Sequence, residues 1–313
     1  MKLLDLFKRK AKQKWVEEWP VPYKEDWELK DIHLRDPYIV TVGDSYYLTG
    51  TLSHDSISDG YGVPLYRSKD LKTWSGPTLI VDRDKGYSNY SCFWAPEIHI
   101  VDNEYWLFVT LEPKDGKRGT YLFKSNKIDG EYSFIARVTP SDMFSLDGTL
   151  YEENGEKYVV YCYEWVEAHD GHIRAVKLLE NGEGIDLATD RLLFKASANV
   201  FYPRTNPNKI TDGPYLYKDK GKLKMLWSTV GSNKAYLLLS ATSKGGLFDE
   251  WVQDELIYDE DGGHGMVFET LEGERKIVIH VPNGRNAERW QFEHPVILPF
   301  GKVKKHLKFK KQF

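Results

Sequence analysis

Three aspartates of this 313-residue chain stand at the mouths of alternating, strand-like runs, each just ahead of glycine or proline: Asp36 in "RDPYIV", Asp147 in "LDGTLY" and Asp212 in "TDGPYLY". Taken singly, an aspartate in that setting is a turn residue whose carboxylate bonds nearby backbone N–H groups. Taken together they suit another task, because grouped carboxylates repel, raise one another's pKa and cost stability unless their charge is used. Hydrolysis of a glycosidic bond uses such a group. One carboxylate is ionised to activate water and a second is protonated to assist the leaving oxygen, with roughly 6.5–9.5 Å between them in inverting enzymes. A third carboxylate close by keeps the acid protonated near neutral pH.

A scaffold that gathers these positions is written into the sequence as a repeat. Five segments share one plan: a small or charged residue, a short apolar run, a polar turn, then a run rich in aromatic or β-branched residues. They begin at Asp36, Ala95, Asp147, Asp212 and His264, spaced 59, 52, 65 and 52 residues apart. A weaker second hairpin follows each, as in "VPLYRSKDLKTWSG" and "GTYLFKSNKIDGEYSF", and "ERWQFEHPVIL" is expected to supply it in the last repeat. Gly, Asp and Asn occupy the turns, as hairpins require. Four strands repeated five times predict an all-β fold, a five-bladed β-propeller. A pair of β-sandwiches would not repeat one hairpin signature five times. The propeller is expected to fill residues 21–313 as one domain, after a short basic helical extension over residues 1–20 in which Leu3, Leu4, Phe7, Ala11 and Trp15 fall near helical spacing. The first strand of each blade lines the central channel, so the ring expected there is Asp36, Ala95, Asp147, Asp212 and His264.

Composition narrows the partners. Forty-four aromatics (Trp 10, Tyr 20, Phe 14) suit strands and stacking on sugar rings. A net charge of -4 gives no field favouring nucleic acid or an acidic membrane. The two cysteines, Cys92 and Cys162, have neither a disulfide framework nor metal-ligand spacing. Without a secretory h-region or a long apolar span, the expected location is cytoplasmic. Trp94, near the ring, could stack on a sugar face or wedge between blades. Glu97 in "APEI" could bond a substrate hydroxyl or tie two blades together, and residues 197–210, polar and proline-containing, are expected to shape the pocket rim.

From about residue 31 to 295 the chain resembles the family 43 glycoside hydrolases. The resemblance is carried by "LRDPYI" with "YYLTGT", "FWAPEIH", "LDGTLY", "TDGPYLY", "GGHGMVF" and "HVPNGRNAER". It implies a five-bladed propeller and an inverting hydrolase acting on α-L-arabinofuranosides or β-xylosides of oligosaccharides. It further implies that Asp36 is the general base, that Asp147 tunes and orients the acid, and that Asp212 stands where the general acid belongs. The family places a glutamate there in an "EGP" context, so Asp212 is a departure, one methylene short. A misplacement of about 1 Å can cost about a hundredfold. Three readings follow: a blade set closer to the axis with Asp212 as acid, another acid such as Glu97 or Glu164, or a non-catalytic glycan-binding propeller. The resemblance also implies that Arg289 reaches the site from the last blade. No cofactor is required, and His264 is implied as a place where a structural Ca²⁺ could be held through water. An oligosaccharide is the expected partner, and the sequence assigns no oligomeric state.

Overall fold

Short two-residue turns organise the chain into antiparallel hairpins. Asp102–Asn103, Asn154–Gly155 and Lys220–Gly221 all take positive φ at both positions, the geometry that matches strand twist and that Asn and Gly tolerate best. The structure, a computed structural model, describes residues 21–52, 61–283 and 293–301. The helical extension expected over residues 1–20 and the arginine Arg289 lie outside them.

The hairpins assemble into five separate antiparallel sheets arranged as the blades of a propeller. Blade 1 holds β2 (Leu34–Val42), β3 (Ser45–Leu52), β4 (Gly62–Ser68) and β5 (Thr73–Asp82), with β1 (Lys24–Glu28) added on the outer side of β5. Blade 2 is β6 (Tyr90–Val101), β7 (Glu104–Pro113), β8 (Gly119–Ser125) and β9 (Ser133–Arg137). Blade 3 is β10 (Ser145–Glu153), β11 (Glu156–Tyr163), β12 (His172–Leu178) and β13 (Ile185–Lys195). Blade 4 is β14 (Asp212–Asp219), β15 (Lys222–Val230), β16 (Tyr236–Ser243) and β17 (Trp251–Tyr258). Among the described residues blade 5 has three strands, β18 (Gly263–Glu269), β19 (Arg275–Val281) and β20 (His294–Pro299). Thus "HPVILP" alone supplies a described strand where a second hairpin was expected. The fifth strand of blade 1 is a feature the repeat did not announce; its Trp27 indole donates to the Gly76 carbonyl at 2.8 Å and shields an open edge.

Each blade is packed on both faces, so strands such as β3, buried along its whole length, lack polar alternation. Burial is organised by junctions. Separate apolar clusters fill the spaces between blades 1 and 2 (Phe93, Leu107, Val63), 2 and 3 (Phe108, Leu122, Tyr161), 3 and 4 (Trp227, Ile173, Leu239), and 4 and 5 (Leu226, Ile279, Leu238). The ring closes through a fifth cluster, in which Leu34, Ile39 and Trp74 of blade 1 meet Met266 and Val278 of blade 5. Removing apolar surface from water at every junction is what holds the circle shut.

Candidate active site

Every blade interrupts its innermost ladder at the same place. Pairing skips two residues between Arg35 and Tyr38, Trp94 and Glu97, Leu146 and Thr149, Asp212 and Tyr215, and Gly263 and Met266. The first skipped residue is left-handed in all five blades: Asp36 (φ 49°), Ala95 (44°), Asp147 (55°), Gly213 (51°) and His264 (49°). These five residues are the axial ring. The expected ring is thereby corrected in blade 4, where Gly213 takes the axial position and Asp212 is the last paired residue before the bulge, equivalent to Arg35 and Trp94. The reason is local: in "DGP" the glycine adopts the strained conformation that aspartate adopts in "RDP" and "LDG", and it adopts it at the lowest cost.

The bulge frees the ring's backbone N–H groups, and the preceding blade accepts most of them. Ala95 N–H donates to Thr51 Oγ1 (2.7 Å), Asp147 N–H to Thr110 Oγ1 (2.9 Å), His264 N–H to Ser228 Oγ (2.8 Å) and Asp36 N–H to His280 Nδ1 (3.1 Å). All four acceptors occupy one register position on the second strand, opposite Arg35, Trp94, Asp212 and Gly263. In blade 3 that position is Cys162, opposite Leu146. A thiol is a weak acceptor, and Gly213 N–H instead donates to the Asp147 carboxylate, Oδ2, at 3.0 Å.

The side chains converge as well. His264 Nδ1 lies 3.0 Å from Asp36 Oδ1 and 3.9 Å from Asp147 Oδ2, and Thr51 Oγ1 donates to Asp36 Oδ2 at 2.6 Å. Burial opposes charge on His264, yet Asp36, Asp147 and Asp212 together raise its pKa to about 10, so it is an imidazolium at neutral pH. Burial likewise opposes charge on Asp36; the His264 cation, its hydrogen bond and the neighbouring Arg35 outweigh it and hold Asp36 well below the usual carboxylate range. Asp147 and Asp212 go the other way. Burial raises Asp147 well above its ordinary value despite His264, and the charges of Asp212 and Asp36 add to the rise. Burial and the Asp36 charge raise Asp212, against His264 and the Tyr236 hydroxyl, which donates to Asp212 Oδ2 at 3.0 Å. One carboxylate is thus fixed as an anion while two beside it favour the proton, and those two titrate as a pair.

The remaining expected residues divide. Arg35 spans the junction to blade 5, bonding Glu293 Oε1 at 2.8 Å and Asn283 Oδ1 at 2.9 Å. His280 is buried and pushed down to about 3 by burial and by Arg35, so it stays neutral and accepts the Asp36 N–H. Glu97 is buried and bonded to His99 Nε2 at 2.9 Å. With Tyr38, Tyr215 and Met266 it lines a space of about 10 Å³ beside Asp36 and His264, room for about one water. Glu164 is held by Arg118 Nε at 2.7 Å; burial raises its pKa to about 7 against that pairing. The Arg118 guanidinium lies 4.7 Å from the Trp94 ring centroid, so one indole face is already engaged. Thr51, Tyr236 and Arg118 were not singled out from the sequence, and Cys162 was noted there only as a thiol outside any disulfide or metal pattern. The matched hydroxyls of "LTGT", "FVTL" and "WSTV" are the signal that would have found the first of them.

His264 Nδ1 faces Asp36, and among the described residues no group of three His, Cys, Asp or Glu side chains has direct metal-ligand spacing. Calcium takes six to eight oxygens, so no step below passes through a metal.

Comparison with known proteins agrees with this geometry. The profile of glycosyl hydrolases family 43 matches residues 30–300. An endo-arabinase structure from Bacteroides thetaiotaomicron is 33% identical, with a TM-score of 0.75, covering 88% of this chain and 97% of that one. The alpha-L-arabinofuranosidase 43 of Humicola insolens is 25% identical over 70% of this chain and 47% of its own length. The xylan 1,3-beta-xylosidase of Vibrio sp is 24% identical over 82% and 50%. The chain spans about half the length of the curated relatives it matches. A profile match across most of the chain, on a five-bladed propeller with acidic residues gathered at its axis, has one meaning: the chain belongs to the family 43 glycosyl hydrolases.

Proposed function

We propose that the protein is an inverting glycosidase that removes α-L-arabinofuranosyl or β-xylosyl residues from oligosaccharides. The observation that carries this reading is the split in charge state at the axis: Asp36 held ionised by His264, with Asp147 and Asp212 both biased towards protonation. Asp36 serves as general base. Each of its oxygens accepts one hydrogen bond, from His264 and Thr51, and keeps a further lone pair for a water proton. The water oxygen bonds the anomeric carbon as its proton passes to Asp36. The bond from that carbon to the leaving oxygen breaks, and Asp212 gives its proton to the oxygen. Burial and the Asp36 charge raise the pKa of the acid, and Asp147, through Gly213 N–H, fixes the backbone beside it.

Asp212 fits the donor role better than Glu97 or Glu164, whose carboxylates are tied to His99 and Arg118. Its side chain is half-buried, so part of it stays accessible to a substrate. Trp94 and His264 serve as sugar contacts in this reading, and the relatives named for arabinofuranosides and xylosides support the substrate class. A panel of 4-nitrophenyl glycosides, with the product anomer followed by NMR, tests the reading. The expected result is turnover of the arabinofuranoside or xyloside with inversion. Retention of configuration overturns the mechanism, and sugar binding without turnover of any glycoside overturns the enzyme assignment in favour of a binding module.

A further inference from the structure

Beside Asp212 the rim of blade 4 holds a cavity of about 260 Å³ between the segment 196–209 and the end of β15, lined in part by Arg204, Lys209, Asn199 and Thr229. Among the described residues two cations and no acid line it. Both are half-buried, and among the described residues neither Arg204 nor Lys209 has a carboxylate within ion-pair distance, although most other basic side chains with comparable burial, Arg35, Arg118, Arg174 and Lys224 among them, are paired. Asp170, in the loop before β12, shares a backbone bridge with Lys209, and its Oδ1 accepts the Ser197 N–H at 2.9 Å. Partly desolvated cations without partners are costly, and a guanidinium beside an ammonium is a receptor for an oxyanion, planar carboxylates best of all.

Its position gives the ligand. Lys209 is three residues before Asp212, about 10 Å along an extended chain, and Thr229 follows Ser228, the residue paired with Asp212. Thr229 Oγ1 donates to the Ile210 carbonyl at 2.6 Å, joining the two walls. If Asp212 protonates the leaving oxygen, the pocket next to it lies on the leaving-group side. We infer that this pocket binds the carboxylate of a uronic acid in the sugar next to the scissile bond. The inference rests on the reading of Asp212 as the acid, and binding tests it without turnover.

The experiment titrates the protein, by calorimetry and by protein-observed NMR, with methyl galacturonoside, methyl galactoside and methyl galactoside 6-sulfate. Expected is binding of the galacturonoside at least about tenfold tighter than of the galactoside, weakened by salt and lost in Arg204→Ala and Lys209→Ala. Equal binding of the two unsulfated sugars, or a preference unchanged in both variants, overturns the inference; tighter binding of the sulfate overturns the choice of carboxylate. Matched disaccharides then report turnover separately: the uronate-to-neutral ratio of kcat/KM should exceed one and fall towards one in each variant. Failure to cleave any glycoside counts against the hydrolase reading and leaves the binding result standing.

Discussion

Blades 1 and 4 carry their carboxylates on opposite sides of the same bulge. In blade 1 the acid residue is the bulge itself: Asp36 is left-handed, buried, and turned to His264. In blade 4 a glycine takes the bulge, and Asp212 sits one residue upstream, half-buried, with the Tyr236 hydroxyl on its carboxylate. One step along the chain separates a group held as an anion by a neighbouring cation from one pushed towards its neutral form by burial and by that same anion. A single scaffold, rotated about an axis, therefore yields a base and an acid through a one-residue offset, with no difference in side-chain chemistry.

The sharpest break of this comparison is Asp36→Asn, expected to lower kcat/KM about 10⁴-fold on every substrate while circular dichroism stays unchanged. Asp212→Asn should separate the two blades by leaving group: a loss of about 10²–10⁴-fold on oligosaccharides and a far smaller loss on aryl glycosides, whose leaving oxygen needs little protonation. Equal losses on both substrates would remove Asp212 from the acid role. Gly213→Ala adds a Cβ that would stand 2.6–2.9 Å from the His264 ring at a φ of +51°. It should cost roughly 1–3 kcal/mol in chemical denaturation and reduce activity along with it. Tyr236→Phe is the mildest. It removes a hydrogen bond that favours ionised Asp212, so the alkaline limb of the kcat profile should move to higher pH while the acidic limb, set by Asp36, stays.

Stability adds a sign. The folded pKa of His264 is raised from 6.5 to about 10, so its charged contacts contribute fully below about pH 6.5 and are lost as pH rises through about 10. His280, lowered to about 3, acts oppositely and costs stability as pH falls below about 6.5. Denaturation midpoints across that range in His264→Gln should lose the alkaline decline.

Much of this was legible because the fold repeats. The strand pattern gave five blades, and equivalence between blades brought Asp36, Asp147 and His264 to one axis from positions up to 228 residues apart in the sequence. The offset at Asp212 was missed because the repeats were aligned on their acids; aligned on Pro37, Pro96 and Pro214 they place Gly213 in the ring. What could not be read depends on contacts between segments with no shared pattern. Tyr236 reaches Asp212 from the third strand of its blade, Arg35 finds Glu293 across the closure, and β1 docks on β5 from the chain's other side. The charge states were unreadable for the same reason, since each is set by burial and neighbours rather than by residue type.

Cys162 gives the ring an asymmetry with a mechanical side. At four junctions a hydroxyl or imidazole clasps the next blade, and the carboxylates are spared that duty; between blades 3 and 4 the clasp is Asp147 itself. A proton gained or lost by this one side chain therefore changes the acceptor that the Gly213 N–H meets, so the proton balance of the site and a backbone contact between blades 3 and 4 share one bond.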